Sequence, residues 1–263
     1  MSRTPLPVEE CLDTLKQHLS ERDEALLQAP PGAGKTTLVP LALLDEPWLE
    51  GRKILMLEPR RIATRAAAQR MAGLLNESPG QTVGYRMRLE SRVGKNTRIE
   101  IITEGILTRM LQQDPALEGV GLVIFDEFHE RNLDSDLALA LCLKGRALLR
   151  ADPASGEPNL KILVMSATLD SEPIARLLGD APIVASAGRL HPVEIVYGRA
   201  RKAGDRIADR MVATIEQALA DNPASSLLAF LPGQGEIRRV EDALAERLRA
   251  RGVADVHLRP LYG

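Results

Sequence analysis

Lys35 and Thr36 close a glycine-rich run, Ala29-Pro30-Pro31-Gly32-Ala33-Gly34-Lys35-Thr36-Thr37, that directly follows the apolar stretch Ala25-Leu26-Leu27. A lysine and a hydroxyl at the end of such a turn, after a strand, are the working parts of a phosphate-binding loop. Gly32 and Gly34 let main-chain N–H groups close around phosphate oxygens, with Ala33 and Thr37 part of the same cradle. Lys35 reaches the β- and γ-phosphates as a point charge, and the Thr36 hydroxyl is the expected Mg²⁺ ligand. A helix opening at about Gly34 adds its positive dipole end. The first position of the pattern holds Ala29 where glycine is usual, a change that removes little space.

Some ninety residues later a second apolar run, Leu122-Val123-Ile124-Phe125, delivers Asp126-Glu127-Phe128-His129. Most Asp-Glu pairs are solvated carboxylates opening a loop. These two end a β-branched and aromatic run of the kind found in buried parallel strands. Ligands bind outside the carboxyl ends of such strands, which is where Mg²⁺-holding acids belong. Asp126 is expected to hold Mg²⁺ and Glu127 to orient and deprotonate an attacking water. Loop and acids together imply binding of a nucleoside triphosphate and its hydrolysis. His129 alone has no such weight, since a histidine near a strand end is more often structural.

Elements that could position these groups alternate along the chain. Strands are expected over Ala25–Gln28, Lys53–Glu58, Val83–Met87, Arg98–Thr103, Leu122–Asp126, Lys161–Ser166 and Pro182–Ala185. Helices are expected over Gly34–Leu44, Arg61–Leu75, Gly105–Gln113, Leu133–Leu149 and Glu172–Leu178. Repeated βα units predict an α/β fold, a parallel sheet with helices on both faces. Ala151–Asn159 reads as a surface loop, and a boundary falls near Ala187-Gly188-Arg189. Beyond it, His191–Tyr197, Leu227–Leu231 and Val256–Leu261 read as strands, with one helix after the first and another over Gly233–Arg251.

The composition suits this plan. The chain has 263 residues, 44% hydrophobic and 27% charged, enough for one full core and part of another. Cys11 and Cys142 lack metal-ligand spacing, which argues for a reducing compartment and against zinc. No apolar stretch reaches membrane length, and Met1–Ser20 is charged and proline-punctuated, so a cytoplasmic chain without a membrane partner is expected. The net charge of −2 gives the whole molecule no nucleic-acid footprint, and 3% aromatic residues leave little for base stacking. Charge is nevertheless uneven: Arg52 to Arg98 carries eleven basic residues against Glu58, Glu77 and Glu90. Such an excess suits a phosphate-tracking face and equally suits solvated helix faces. Arg60 and Arg61 are sharper, because they open a helix on the ligand side of the sheet.

Five runs then occur in a familiar order: Gly32-Ala33-Gly34-Lys35-Thr36-Thr37, Glu58-Pro59-Arg60-Arg61, Thr103-Glu104-Gly105-Ile106-Leu107, Asp126-Glu127-Phe128-His129-Glu130-Arg131 and Ser166-Ala167-Thr168. They resemble motifs I, Ia, Ib, II and III of the DEAH-box (superfamily 2) RNA helicases. Phe128 stands where that family has alanine. With the linker Gly188-Arg189-Leu190-His191-Pro192-Val193-Glu194, it looks like the family's bacterial HrpB branch.

The resemblance implies two RecA-like P-loop NTPase lobes, residues 1–187 forming the first and 188–263 the start of the second. It implies that Arg60, Arg61 and Thr103 contact the backbone of single-stranded RNA without sequence preference, DNA being left open. It also implies that Arg70 stacks on the nucleotide base, and that His129, Ser166 and Thr168 couple nucleotide state to strand movement. A monomer is expected for the full-length protein. Phe230-Leu231-Pro232-Gly233 resembles motif IV, but no run matches motif V or motif VI, whose arginine finger stabilises transition-state charge. The chain is therefore expected to be an N-terminal fragment that binds ATP and hydrolyses it weakly. A P-loop nucleotide kinase or small-molecule ATPase is the alternative, and it leaves motifs Ia, Ib and III unexplained. An ATP-dependent binding module without turnover is a third class.

Overall fold

The computed structural model describes residues 5–150, 159–167, 171–187, 193–200, 204–223, 225–253 and 255–261. They divide into two units, Met1–His191 and Pro192–Gly263. The expected surface loop at 151–158, the linker at 188–192 and Thr168 lie outside the described residues.

The first unit is built on eight strands: β1 (Glu24–Gln28), β2 (Lys53–Leu57), β3 (Val83–Met87), β4 (Glu90–Arg92), β5 (Ile99–Ile102), β6 (Val120–Phe125), β7 (Lys161–Ser166) and β8 (Ile183–Ala185). Their order is β4-β3-β5-β2-β6-β7-β1-β8. All pairs are parallel except the β3–β4 hairpin at one edge. This is the expected α/β sheet with one antiparallel addition.

Alternation along each strand sorts side chains to two cores. Leu27, Met56, Ile124 and Met165 face one core, which takes residues from α1 (Leu12–Glu21), α2 (Lys35–Ala42) and α3 (Arg61–Leu74). Leu26, Leu57, Phe125 and Val164 face the other, with α4 (Glu104–Gln113), α5 (Leu133–Leu149) and α6 (Glu172–Leu177). Both faces are thus covered, which is why Leu122–Phe125 and Ile162–Met165 read as unbroken apolar runs and every residue of β6 and β7 is buried. Each fully buried Leu, Ile or Val there stabilises the fold by about 1.5–3 kcal/mol.

The strand order also assembles the site. β1, β7, β6 and β2 are consecutive neighbours, in registers that set Gln28 beside Ser166, Val164 beside Phe125 and Phe125 beside Leu57. The segments leaving their carboxyl ends, which carry the glycine-rich run, Ser166-Ala167, the acids and Pro59-Arg60-Arg61, therefore emerge side by side.

In the second unit, α7 (Ile207–Asp221) and α8 (Gln234–Ala250) share a small core of Val212, Ile215, Val240, Leu244 and Leu248. The three strands expected here are a correction: no residue described after Pro192 is in a strand. Their alternation survives in part, since Ala229, Leu231, Val256 and Leu258 pack on the helical core while Leu228 and Phe230 are exposed. A strand needs a hydrogen-bonded neighbour as well as a pattern, and among the described residues these segments have none.

Candidate nucleotide site and adjoining basic edge

Between β1 and α2 the backbone must turn sharply, and Gly32 (φ 78°) and Gly34 (φ 93°) supply left-handed conformations that other residues resist. A Cβ on Gly34 would also approach Leu6 Cδ1 to 2.8 Å, so the N-terminal segment braces the turn. Nothing lies within 4 Å of a Cβ built on Gly32, so that side of the cradle is open. Ala29 explains the departure at the first position: it is fully buried, is not left-handed, and donates its N–H to Ser166 O at 3.0 Å. The residue still belongs to the ladder, so glycine's freedom is not required there.

The two motifs interlock. Thr36 Oγ1 donates to Asp126 Oδ2 at 2.6 Å, and Lys35 Nζ lies 2.9 Å from Glu127 Oε1. Asp126 is fixed from behind, its N–H donating to Leu57 O and its Oδ1 accepting from Glu127 N–H at 2.9 Å. Glu127 is left-handed (φ 49°, ψ 34°), strain of the sort held where a carboxylate must be aimed. It opens a 3₁₀ turn, Phe128–Glu130, anchored by Phe128 edge-on against Phe125.

The segment from Glu127 to Asn132 touches all four other motifs. Glu127 meets Lys35 of motif I. His129 Nδ1 accepts from Ala167 N at 3.3 Å and lies 3.4 Å from Glu127 Oε2, so one nitrogen faces both motif III and the acid. Glu130 pairs with Arg60 of motif Ia at 2.5 Å. Asn132 Nδ2 donates to Glu104 Oε2 of motif Ib at 2.7 Å, while Ser135 Oγ donates to Glu104 Oε1 at 2.6 Å. Glu130, Asn132, Ser135 and the acid of Glu104 escaped the sequence reasoning. Only Asn132 carried a local signal, an N-cap residue before an apolar helix, and its side chain does accept from Asp134 N.

The carboxyls crowd one another. Burial, then the Glu127 charge, raise Asp126 to about 6 against the Thr36 hydrogen bond and the Lys35 charge. Burial, then Asp126, raise Glu58 to about 8, with Glu127 and Glu130 adding to it and the Arg60 N–H opposing. Both acids therefore bind protons more tightly folded than unfolded, where their ordinary values are 3.8 and 4.5. The stability this confers is greatest below about pH 4 and is lost as pH climbs towards 8. The nucleotide-free chain should accordingly melt at lower temperature at pH 8 than at pH 5. Thermal melts should show the gap between Glu58→Gln and wild type widening with pH; a gap independent of pH would contradict this account of Glu58.

The remaining expected residues are placed as follows. Ala33 is buried, and Thr37 is half-buried with its N–H on Gly34 O. Ser166 is buried at the end of β7. Thr103 is the N-cap of α4 and is half-buried. Arg70 is exposed on α3. Arg60 and Arg61 are exposed at the start of that helix, Arg61 Nη2 donating to Arg88 O at 3.4 Å. The eleven-residue basic stretch is partly structural: Arg65 pairs with Glu90, Arg86 with Glu100, and Arg98 and Arg52 bond main-chain carbonyls. Of this stretch, Arg60 lies beside the acids, paired with Glu130 at the surface.

For a metal the donor chemistry is selective. Among the described residues no three His, Cys, Asp or Glu side chains are grouped to hold an ion. One hydroxyl and one carboxylate in contact, Thr36 and Asp126, suit an ion that completes its shell with waters and phosphate oxygens, as Mg²⁺ does.

Comparison with known proteins agrees with this geometry. The sequence pattern of the DEAD/DEAH box helicases matches residues 10–177. The chain is 52% identical over 259 residues to the ATP-dependent RNA helicase HrpB of Escherichia coli (strain K12), covering 98% of this chain and 30% of that protein. It is 34% identical over 267 residues to the ATP-dependent RNA helicase DHX30 of Gallus gallus, covering 93% of this chain and 21% of that one. A crystal structure of the Escherichia coli DEAH/RHA helicase HrpB superposes with a TM-score of 0.83 over 92% of this chain and 30% of that one, at 52% identity. The chain thus spans less than a third of the length of these relatives. A matched segment of this extent, with motif I locked to motif II at the carboxyl ends of a parallel sheet, places the chain in the DEAD/DEAH box helicase family.

Proposed function

We propose that this chain is the ATP-binding part of an RNA-dependent ATPase that moves on or remodels RNA. The observation that carries the proposal is the interlock of Lys35 with Glu127 and of Thr36 with Asp126, two motifs some ninety residues apart. Gly32 to Thr37 hold the phosphates of ATP, and Arg70 stacks on its base. Thr36 and Asp126 hold Mg²⁺, which when bound neutralises developing phosphate charge. Glu127 orients the attacking water and accepts its proton, a role its strained backbone suits. His129, Ser166 and Thr168 carry the nucleotide state to the edge where Arg60, Arg61 and Thr103 meet single-stranded RNA through its backbone, DNA remaining a second candidate polymer. The unit Met1–His191 corresponds to a first RecA-like lobe and Pro192–Gly263 to the beginning of a second. The full-length protein is a cytoplasmic monomer in this proposal.

RNA binding separates the proposal from a kinase or small-molecule ATPase. Changing Arg60 and Arg61 together to Ala should weaken RNA binding similarly across unrelated sequences. The slope of log K against log salt should also flatten by about 0.7 per lost phosphate contact. Fluorescence anisotropy with labelled oligoribonucleotides at low salt is the measurement. A loss confined to one sequence, or none at all, would count against backbone contact.

A further inference from the structure

We propose that Glu130 stands in for an RNA phosphate on Arg60, so that RNA must displace this carboxylate to engage the arginine. The inference rests on the assignment of Arg60 to RNA under the proposed function. Glu130 Oε1 lies 2.5 Å from Arg60 Nη2. The Arg60 side chain is 70% exposed and that of Glu130 32%, so the pair sits at the surface where a polymer backbone arrives. A guanidinium recognises carboxylate and phosphate with the same planar donors, which makes the two anions rivals. A phosphate that took the remaining donors without displacing Glu130 would sit beside a fixed negative charge. Either route costs binding energy, so the sign is set: Glu130 weakens RNA affinity.

Glu130 is also poorly placed to be only structural. The turn that carries it is closed by its N–H on Glu127 O at 2.9 Å and anchored by Phe128 against Phe125, and neither contact uses its side chain. The same turn begins at Glu127, which pairs with Lys35. Capture of Arg60 by RNA therefore frees the Glu130 carboxylate while these two contacts keep the turn closed.

The test is a double-mutant cycle on this 263-residue chain with a labelled twelve-nucleotide oligouridylate and an unrelated sequence of the same length, at low salt without nucleotide. Glu130→Gln keeps the shape and removes the charge; Glu130→Ser is the second variant should the first melt early. Exposed ion pairs of this kind support an affinity gain of about two- to five-fold for Glu130→Gln on both RNAs. In an Arg60→Ala background the same change should give clearly less. An equal gain in both backgrounds would mean a general field effect and overturn the proposal. A loss of affinity in Glu130→Gln would mean that Glu130 presents Arg60 to RNA, the opposite role. If Arg60→Ala itself leaves RNA affinity unchanged, the assignment of Arg60 fails first and the proposal falls with it.

Discussion

This 263-residue polypeptide should bind Mg-ATP yet release phosphate about 10³- to 10⁵-fold more slowly than full-length Escherichia coli HrpB with RNA. In the proposed reading Lys35 binds phosphate, Thr36 and Asp126 would hold Mg²⁺, and Glu127 positions the water. What these residues lack is an arginine aimed at the transferred phosphoryl group. Arg60 and Arg61 are assigned to RNA in that reading and are not counted as fingers. The sequence contains no run with the glutamine and two arginines of motif VI, and arginine fingers in related NTPases are worth a factor of this size. RNA should add little, because stimulation requires a second nucleotide-facing surface to close on the first. Phosphate release measured for the two proteins side by side, with and without RNA, decides the matter. Turnover and RNA stimulation equal to those of the full-length relative would mean that the catalytic groups are all within these residues, and that hydrolysis needs no arginine finger from a second lobe.

Much of the first unit was legible because its strands are buried on both faces. β6 and β7 carry the unbroken apolar runs Leu122–Phe125 and Ile162–Met165, and their ends fall within two residues of expectation. The segments that escaped are those with weaker or non-local signals. β4 is a three-residue edge strand of Glu, Ser and Arg, with no apolar alternation to betray it. α1 and the 3₁₀ turn before it, Pro7–Cys11, did carry a pattern, Val8, Cys11, Leu15 and Leu19 at helical spacing, all buried. In the second unit the alternation was legible and the pairing was not, because a ladder depends on which segments become neighbours.

The site divides along the same line. The glycine-rich turn and the strand-ending acids are local patterns with a chemical reason for each residue. Their mutual contact is not local, nor is the attachment of Glu104 to Asn132 and Ser135, which spans 28 and 31 residues and ties motif Ib to the start of α5. Nothing near Glu58 announces that it will be buried against Asp126 and hold its proton to about pH 8. Lys35 offers the clearest lesson. From sequence it is the phosphate-reaching lysine of a glycine-rich run, and nothing in that pattern speaks of burial. In the structure it is 3% exposed and paired with Glu127.

That burial changes what Lys35→Ala should do. The substitution removes the cation from a cluster of carboxyls, leaves Glu127 without its partner, and lowers the melting temperature of the nucleotide-free chain as an unpaired, partly buried charge does. The larger effect should fall on nucleotide binding, where a charge-assisted contact to phosphate is lost and affinity drops by roughly 10- to 100-fold. The two effects are separable by working well below the melting temperature of both forms, with matching far-ultraviolet circular dichroism as the check on folding. The decisive measurement is a titration of wild type and Lys35→Ala with a fluorescent ATP analogue in the presence of magnesium. Tight binding by the wild type with a fall of about ten-fold or more in the folded variant is the result expected of a phosphate cradle. Equal affinities in two folded proteins would contradict the central claim that Gly32 to Thr37, with Asp126 and Glu127, form a nucleotide site.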